Sequence, residues 1–292
     1  MHLPRYALSW SAPALGICCA LAFAWRVLAV DTPHPPLAEF AMAWTTVLAC
    51  LLAGIAALRS RLPPALACML QAGALATAGS ALGLAAWPLV FRPLAMLCAL
   101  AAVALPLRRR APQRGDWLLL AALGASLAGD VLLMLPGLFF PGFAAFLLAQ
   151  LCYLALFRQG QRWFALRGAL LALLLAGAVM YALMWRGGLR AELRLPIAVY
   201  VLAIALMAAQ AWGRWHGTPG SGRRAALLVA LGASSFVLSD TLLAVHRCVQ
   251  PLPWAPLGIL GSYYLAQALI VTGMLCAARP QASGSAGGVT PR

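Results

Sequence analysis

The chain is built from apolar runs of about 20 residues that recur from one end to the other, separated by short segments rich in Arg, Pro and Gly. An α-helix of about 20 residues is about 30 Å long, which matches the hydrocarbon core of a bilayer. The pattern therefore predicts an all-α, polytopic helical membrane protein with about ten transmembrane helices. The predicted spans are 7–29, 37–58, 64–86, 88–107, 116–135, 138–157, 165–185, 195–213, 224–245 and 256–278.

Composition and charge support this class. Of 292 residues, 64% are hydrophobic and 9% are charged, and the net charge of +15 comes from Arg alone, because the chain has no Lys. A basic protein could bind nucleic acid, but here 15 of the 21 Arg fall on the side of the predicted bundle that holds the N-terminus and four on the other. This is the positive-inside distribution. It predicts cytoplasmic termini and no nucleic-acid partner, and the Arg-only, Ala-rich composition favours a bacterial inner membrane.

Two segments of the chain resemble each other. ALGASLAGDVLL (122–133) and ALGASSFVLSDTLL (230–243) are each followed by a turn and a run containing Leu-Ala-Gln, at 148–150 and 265–267. The copies are four spans apart and so cross the membrane in the same direction. They predict an eight-helix core over 64–278, built as two parallel four-helix repeats. Chance similarity between Ala/Leu-rich helices is the alternative.

The rest of the chain adds little chemistry. Residues 1–63 are predicted to form two additional N-terminal helices, and the Gly/Ser-rich segment 279–292 a disordered cytoplasmic tail. The eight Cys form no CxxC pair and have no spacing with His that suits zinc. We therefore expect no metal site and no cofactor.

Two acidic residues lie deep inside apolar runs. Asp130 and Asp240 each precede the end of a predicted span by five residues, or about 7–8 Å. A carboxylate at such a depth costs about 2.5–3.5 kcal/mol on insertion scales, so it needs polar partners. The polar residues expected near the same layer are Arg92, Tyr200, Tyr263, Tyr264 and Gln267, with Gln150 and Tyr153 deeper.

These residues favour a functional site over a purely structural network, because intramembrane acids commonly mark sites. Two carboxyl groups in one pocket tend to hold one proton between them, which suits acid–base chemistry. The residues alone leave open both an enzyme and a proton-coupled transporter. An intramembrane aspartyl protease also uses two aspartates, but the order of motifs here, and Leu127 where that family needs Gly, depart from its pattern.

Six stretches resemble the lysoplasmalogenase family, also called YhhN-like membrane proteins, in residue type, order and spacing. The resemblance extends over roughly 64–278. It departs from the family at Arg92-Pro93, where Lys-Pro is frequent, and at Gln150, where His is frequent, so we give Gln150 no acid–base role. The stretches are FRPLAML (91–97), SLAGDVLLML (126–135), GFAAFLLAQLCYLALF (142–157), VYVLAIALM (199–207), GASSFVLSDTLLAVHR (232–247) and SYYLAQALI (262–270).

The resemblance implies hydrolysis of the vinyl ether bond of a lysoplasmalogen, giving a fatty aldehyde and a glycerophospho headgroup, without metal or cofactor. It implies Asp130 and Asp240 as the catalytic residues and a lysophospholipid as the partner, and it leaves the oligomeric state open. Arg92 is expected to meet the substrate phosphate, with neutralisation of an aspartate as the alternative. The other expected substrate-binding residues are Tyr153, Tyr200, Tyr263, Tyr264 and Gln267.

Overall fold

The computed structural model describes residues 5–29, 36–59 and 62–278, so the predicted tail 279–292 lies outside the described residues. Within those ranges the chain forms ten α-helices, one for each predicted span: α1 (Arg5–Ala29), α2 (Pro36–Leu58), α3 (Pro64–Ala81), α4 (Ala86–Leu107), α5 (Arg114–Met134), α6 (Phe139–Arg158), α7 (Arg167–Arg186), α8 (Ala191–Gly217), α9 (Gly222–Cys248) and α10 (Ala255–Ala277). The prediction of a polytopic helical membrane protein is confirmed. Eight helices are long and apolar enough to cross a membrane; α1 and the 18-residue α3 are not among them.

Seven of the helices form a closed ring. Helices α3, α4, α5, α6, α8, α9 and α10 contact one another in that order, and α10 closes the ring against α3 and α4. A single buried cluster fills the interior, with Met96, Tyr153 and Phe236 among its largest side chains. Helix α7 packs mainly against α8, outside the ring. Because lipid tails are as apolar as Leu, polar and small side chains, rather than hydrophobic ones, distinguish the ring interior from the lipid-facing surface.

Helices α1 and α2 form a second apolar cluster, which they share with α3. One buried side chain joins the three helices. The amide nitrogen of Gln71 on α3 donates hydrogen bonds to the main-chain carbonyls of Pro13 on α1, at 3.1 Å, and Cys50 on α2, at 2.9 Å. Gly16 lies so close to the Gln71 amide that a side chain there would collide with it. The N-terminal pair is therefore attached to the ring through α3.

The repeated motifs lie in two equivalent hairpins. Helices α5 and α6 form one hairpin and α9 and α10 the other, and both hairpins are extensively packed. The helices that open the two halves differ, because α3 is part of the ring whereas α7 lies outside it. The equivalence of the two halves therefore holds for the hairpins and does not extend to α3 and α7.

Candidate active site

Asp130 lies on α5 and faces the interior of the ring. Its side chain is 4% exposed, and its Oδ2 accepts a hydrogen bond of 2.7 Å from the hydroxyl of Tyr263 on α10. The preceding residue, Gly129, allows the ring of Phe146 on α6 to pack directly on α5, since a Cβ atom there would lie 2.6 Å from that ring. Two neighbouring helices, α10 and α6, thus pack directly around this part of α5.

Asp240 on α9 forms the corresponding pair with a different helix. Its Oδ2 accepts a hydrogen bond of 2.6 Å from the hydroxyl of Tyr200 on α8. Both residues are half-buried, in contrast to Asp130 and Tyr263. The Tyr200 ring packs on Phe143 of α6, with ring centroids 4.8 Å apart.

The tyrosine of each Asp–Tyr pair packs on a phenylalanine of α6, Tyr200 on Phe143 and Tyr263 on Phe146. Phe146 contacts the Tyr263 ring with centroids 6.0 Å apart, and Phe236 meets that ring edge-on at 5.5 Å. Phe236 lies one helical turn before Asp240 on α9, so the helix that carries Asp240 packs on the tyrosine that binds Asp130. Each carboxyl group is hydrogen-bonded to a tyrosine on another helix rather than to the other carboxyl group.

Arg92 on α4 lies on the Asp130 side of the site. Its positive charge acts on the Asp130 carboxyl group, and its side chain lies beside the hydroxyl of Tyr264. The Nε atom of Arg92 and the Tyr264 hydroxyl are buried, and neither has a hydrogen-bond partner of ordinary geometry among the described residues.

Tyr153 and Gln267 are fully buried and bind each other. The Tyr153 hydroxyl donates a hydrogen bond of 2.5 Å to Oε1 of Gln267, whose Nε2 donates one of 3.3 Å to Oγ of Ser126. Ser126 lies one turn before Asp130 on α5. The network therefore joins α5, α6 and α10 just below the Asp130–Tyr263 pair, and we interpret Tyr153 and Gln267 as the floor of the site.

Gln150 on α6 is a buried side chain to which the sequence analysis gave no acid–base role. It is 0% exposed, and its side chain lies beside the Tyr200 hydroxyl, yet neither Oε1 nor Nε2 has a hydrogen-bond partner of ordinary geometry among the described residues. The Leu-Ala-Gln repeat is the sequence signal that could have drawn attention to it, because its counterpart Gln267 lies in the same site.

The two aspartates lie at different distances from the ends of their helices, whereas the predicted spans placed each of them five residues from an end. Asp130 lies four residues before the end of α5 at Met134, whereas Asp240 lies eight residues before the end of α9 at Cys248. The reason is that α9 continues three residues beyond its predicted end at 245. The polar residues at the end, His246 and Arg247, made this last turn look like a loop.

The structure brings together every residue that the sequence assigned to the site, in two clusters. Asp130, Tyr263, Tyr264 and Arg92 form one, and Asp240 and Tyr200 the other, with Tyr153 and Gln267 beneath the first. Sequence reasoning missed Ser126 and the three phenylalanines, because a Phe in an apolar helix carries no signal of where it points. No cluster of three His, Cys, Asp or Glu that could hold a metal ion occurs among the described residues.

Comparison with known proteins gives a family match over most of the ring. The model of the YhhN family matches residues 87–274. The match starts at the beginning of α4, later than the predicted core boundary at 64, and it includes both aspartates and all the residues named above around them. Helices α1, α2 and α3 lie outside it.

The chain is also similar to proteins that carry the name lysoplasmalogenase. It is 35% identical to lysoplasmalogenase TMEM86B of Homo sapiens over 54% of this chain and 63% of that protein. It is 38% identical to the protein of the same name from Sus scrofa over 51% and 59%, and 32% identical to the lysoplasmalogenase of Mycobacterium tuberculosis over 62% and 67%. The chain therefore spans about three-fifths of the length of the two animal proteins. No solved structure matches the chain.

Proposed function

The chain belongs to the YhhN family, and from this membership we propose that it is an intramembrane hydrolase that cleaves the vinyl ether bond of a lysoplasmalogen or a related lysolipid. The observation that carries the proposal is the pair of intramembrane aspartates, Asp130 and Asp240, each hydrogen-bonded to a tyrosine of another helix. The names of the similar proteins support the substrate class.

The proposed reaction needs only proton transfer and water. A carboxylic acid donates its proton to the β-carbon of the vinyl ether, and the neighbouring carbon becomes an oxocarbenium ion. Water adds to that carbon and loses a proton to a carboxylate. The resulting hemiacetal separates into a fatty aldehyde and the hydroxyl group of the glycerophospho product. The site must therefore supply an acid, a base and a negative charge beside the cation.

The surroundings of the two aspartates support different roles for them. The charge of Arg92 acts on Asp130, so we assign Asp130 as the carboxylate that stabilises the oxocarbenium ion. Asp240 is hydrogen-bonded to Tyr200 and forms no ion pair within the described part of the chain. We assign it as the acid. Because the two reacting carbons are bonded to each other, Asp240 can also take the proton of the attacking water once it has lost its own.

This assignment changes the expected role of Arg92. A guanidinium that compensates Asp130 contributes to the chemical step, whereas one that binds the lipid phosphate contributes to substrate affinity. The position of Arg92 beside Tyr264 and near Asp130 favours the first role.

The proposal is tested by product formation. Purified protein in detergent is incubated with lysoplasmalogen, and the fatty aldehyde and the glycerophospho headgroup are both measured by mass spectrometry. We expect the two products in equal amounts. A lysolipid with a saturated alkyl ether in place of the vinyl ether is the matched control, since it cannot form the oxocarbenium ion by protonation of carbon. Absence of aldehyde from the first lipid, or equal cleavage of both, contradicts the proposal.

We also propose an inner-membrane location with both termini in the cytoplasm, because of the 15-to-4 distribution of Arg. A C-terminal alkaline phosphatase fusion, which is active only outside the cytoplasm, is expected to be inactive, while a fluorescent protein at the same position is expected to be bright. The opposite result contradicts the orientation.

A further inference from the structure

Gln150 differs from the other buried glutamines in its hydrogen bonding. Gln71, Gln210 and Gln267 are almost completely buried, and each makes at least one hydrogen bond. Gln150 is equally buried, and both of its amide atoms lack a partner of ordinary geometry among the described residues. A buried polar group without a hydrogen bond costs at least about 1–3 kcal/mol. An amide retained at that cost, inside a site, indicates a ligand that pairs with it.

The position of Gln150 identifies the kind of ligand. The amide lies beside the Tyr200 hydroxyl, which donates its hydrogen to Oδ2 of Asp240. The groups that surround this point are therefore an amide donor, an amide acceptor and the remaining carboxyl oxygen. A small molecule that both donates and accepts is the match, and a buried water with two to four polar partners has these requirements.

We propose that Gln150 positions the water that attacks the oxocarbenium ion, holding it beside the Tyr200–Asp240 pair. The inference rests on the proposed hydrolysis and adds a residue to it. Gln150 carries no proton itself. Its oxygen accepts one hydrogen of the water, so that the second hydrogen points to the carboxylate left at Asp240 and the lone pair of the water points to the reacting carbon.

The substrate makes such a residue necessary. A lysoplasmalogen carries a free hydroxyl on the carbon next to the ether-bearing carbon of its glycerol. That hydroxyl can itself add to the oxocarbenium carbon and lose its proton to the carboxylate, which closes a five-membered cyclic acetal. This side reaction consumes no water and isomerises the substrate instead of hydrolysing it. A water fixed by Gln150 reacts before the ring closes.

The test uses the near-isosteric change Gln150→Met in the full-length protein, with lysoplasmalogen as substrate. We expect kcat to fall about tenfold or more, KM to stay within about twofold, and the cyclic acetal to become a measurable fraction of the product. Chromatography separates the acetal from unreacted substrate, which has the same mass. In D₂O the acetal carries one deuterium on the carbon that was protonated, whereas unreacted substrate carries none. In H₂¹⁸O the aldehyde takes up ¹⁸O and the acetal does not.

Gln210→Met is the matched control. Gln210 is equally buried, but its amide binds the main chain of Phe164 and Arg162, ten residues from Tyr200 along α8. This variant is expected to melt at a lower temperature without producing cyclic acetal. Gln150→Met removes an unpaired amide and is expected to melt no lower than wild type. Gln150→His, which keeps one donor and one acceptor, is expected to suppress the acetal again.

The inference is overturned if Gln150→Met gives aldehyde as its sole product at the wild-type kcat. Hydrolysis by the wild-type protein leaves the proposed function intact in that case. A rise in KM at unchanged kcat also overturns the inference, because it assigns the amide to a substrate group instead of water. If Gln150→Met does not fold, the same measurements are made on Gln150→His and Gln150→Asn. Cyclic acetal from Asn, whose shorter amide cannot reach the same point, and not from His supports the inference; its absence from both overturns it. Lack of hydrolysis by the wild-type protein overturns the proposed function itself.

Discussion

The hairpins α5–α6 and α9–α10 carry the same motifs in the same order and place them in different surroundings. In the first, Asp130 is buried, its partner tyrosine comes from α10, and the charge of Arg92 acts on it. In the second, Asp240 is half-buried and its partner Tyr200 comes from α8. The two similar motifs each contain one carboxyl group, and the neighbouring helices make the two groups unequal. Acid–base chemistry with two like residues depends on such inequality.

The same divergence is visible in the residues that do not ionise. Ser126 of the first ALGAS motif binds Gln267 in the ring interior, whereas its counterpart Ser234 accepts a hydrogen bond from Trp212 on α8. Gln267 has two partners and Gln150 has none of ordinary geometry among the described residues. The two copies of each motif therefore differ in their hydrogen-bond partners.

The largest expected effect separates the two aspartates. Asp130→Asn and Asp240→Asn should each lower kcat by about 10²–10⁴-fold, because Asn keeps the shape and loses the proton and the charge. Asp240→Asn should be the more severe, since it removes both acid and base. Turnover of lysoplasmalogen is measured on variants with wild-type yield in the membrane and a single peak in gel filtration. Near-wild-type turnover of either variant would make that aspartate structural.

Removal of the positive charge of Arg92 should affect the function of Asp130 in the first hairpin and not that of Asp240 in the second. Arg92→Ala is expected to cost about 1.5–3 kcal/mol in kcat/KM, the size of a hydrogen bond to a charged group, and to lower kcat with little change in KM. Arg92→Lys should recover most of kcat, because a point charge is sufficient to compensate Asp130. The measurement is turnover against substrate concentration. A higher KM at unchanged kcat would instead assign Arg92 to the lipid phosphate.

Close packing beside Asp130 should be sensitive to a single methyl group. Gly129→Ala places a Cβ atom against the Phe146 ring, and overpacking of this kind costs about 1–3 kcal/mol. We expect a lower melting temperature and reduced turnover, because Phe146 also packs on Tyr263. Gly124→Ala on the same helix, where no neighbouring atom lies within 4 Å, is the control and should melt at or above the wild-type temperature. Equal effects of the two substitutions would refute the packing argument.

The smallest expected effect compares the two tyrosines. Tyr263→Phe and Tyr200→Phe each remove one hydrogen bond to a carboxyl group, worth about 0.5–1.5 kcal/mol. In the proposed mechanism the Tyr200 hydroxyl also orients Asp240, the carboxylate that takes the proton of the attacking water, so Tyr200→Phe should release cyclic acetal and Tyr263→Phe should not. Product analysis by mass spectrometry checks this. If only Tyr263→Phe released cyclic acetal, the attacking water would lie beside Asp130 in the first hairpin, and the roles assigned to the two aspartates would be reversed.

The sequence predicted the helices correctly and supplied the candidate site residues, because both depend on local signals. An apolar run of fixed length identifies a membrane helix, and a charge inside it, such as Asp130, identifies a candidate site. Which tyrosine meets which aspartate could not be predicted, because Tyr200 and Tyr263 lie on helices of similar composition. The position of α7 outside the ring was equally hidden, since a helix surrounded by lipid and a helix surrounded by other apolar helices have the same hydropathy.

The way α1 and α2 are attached has a consequence for how the chain can change over evolutionary time. Gln71 holds both helices by their main-chain carbonyls, and every residue type supplies such an acceptor. Substitutions along α1 and α2 therefore leave the two hydrogen bonds available as long as Gly16 stays small. The specific constraint falls on one glutamine of α3 and one glycine of α1, while the buried residues of the two helices need only remain apolar and fill the cluster that they share with α3.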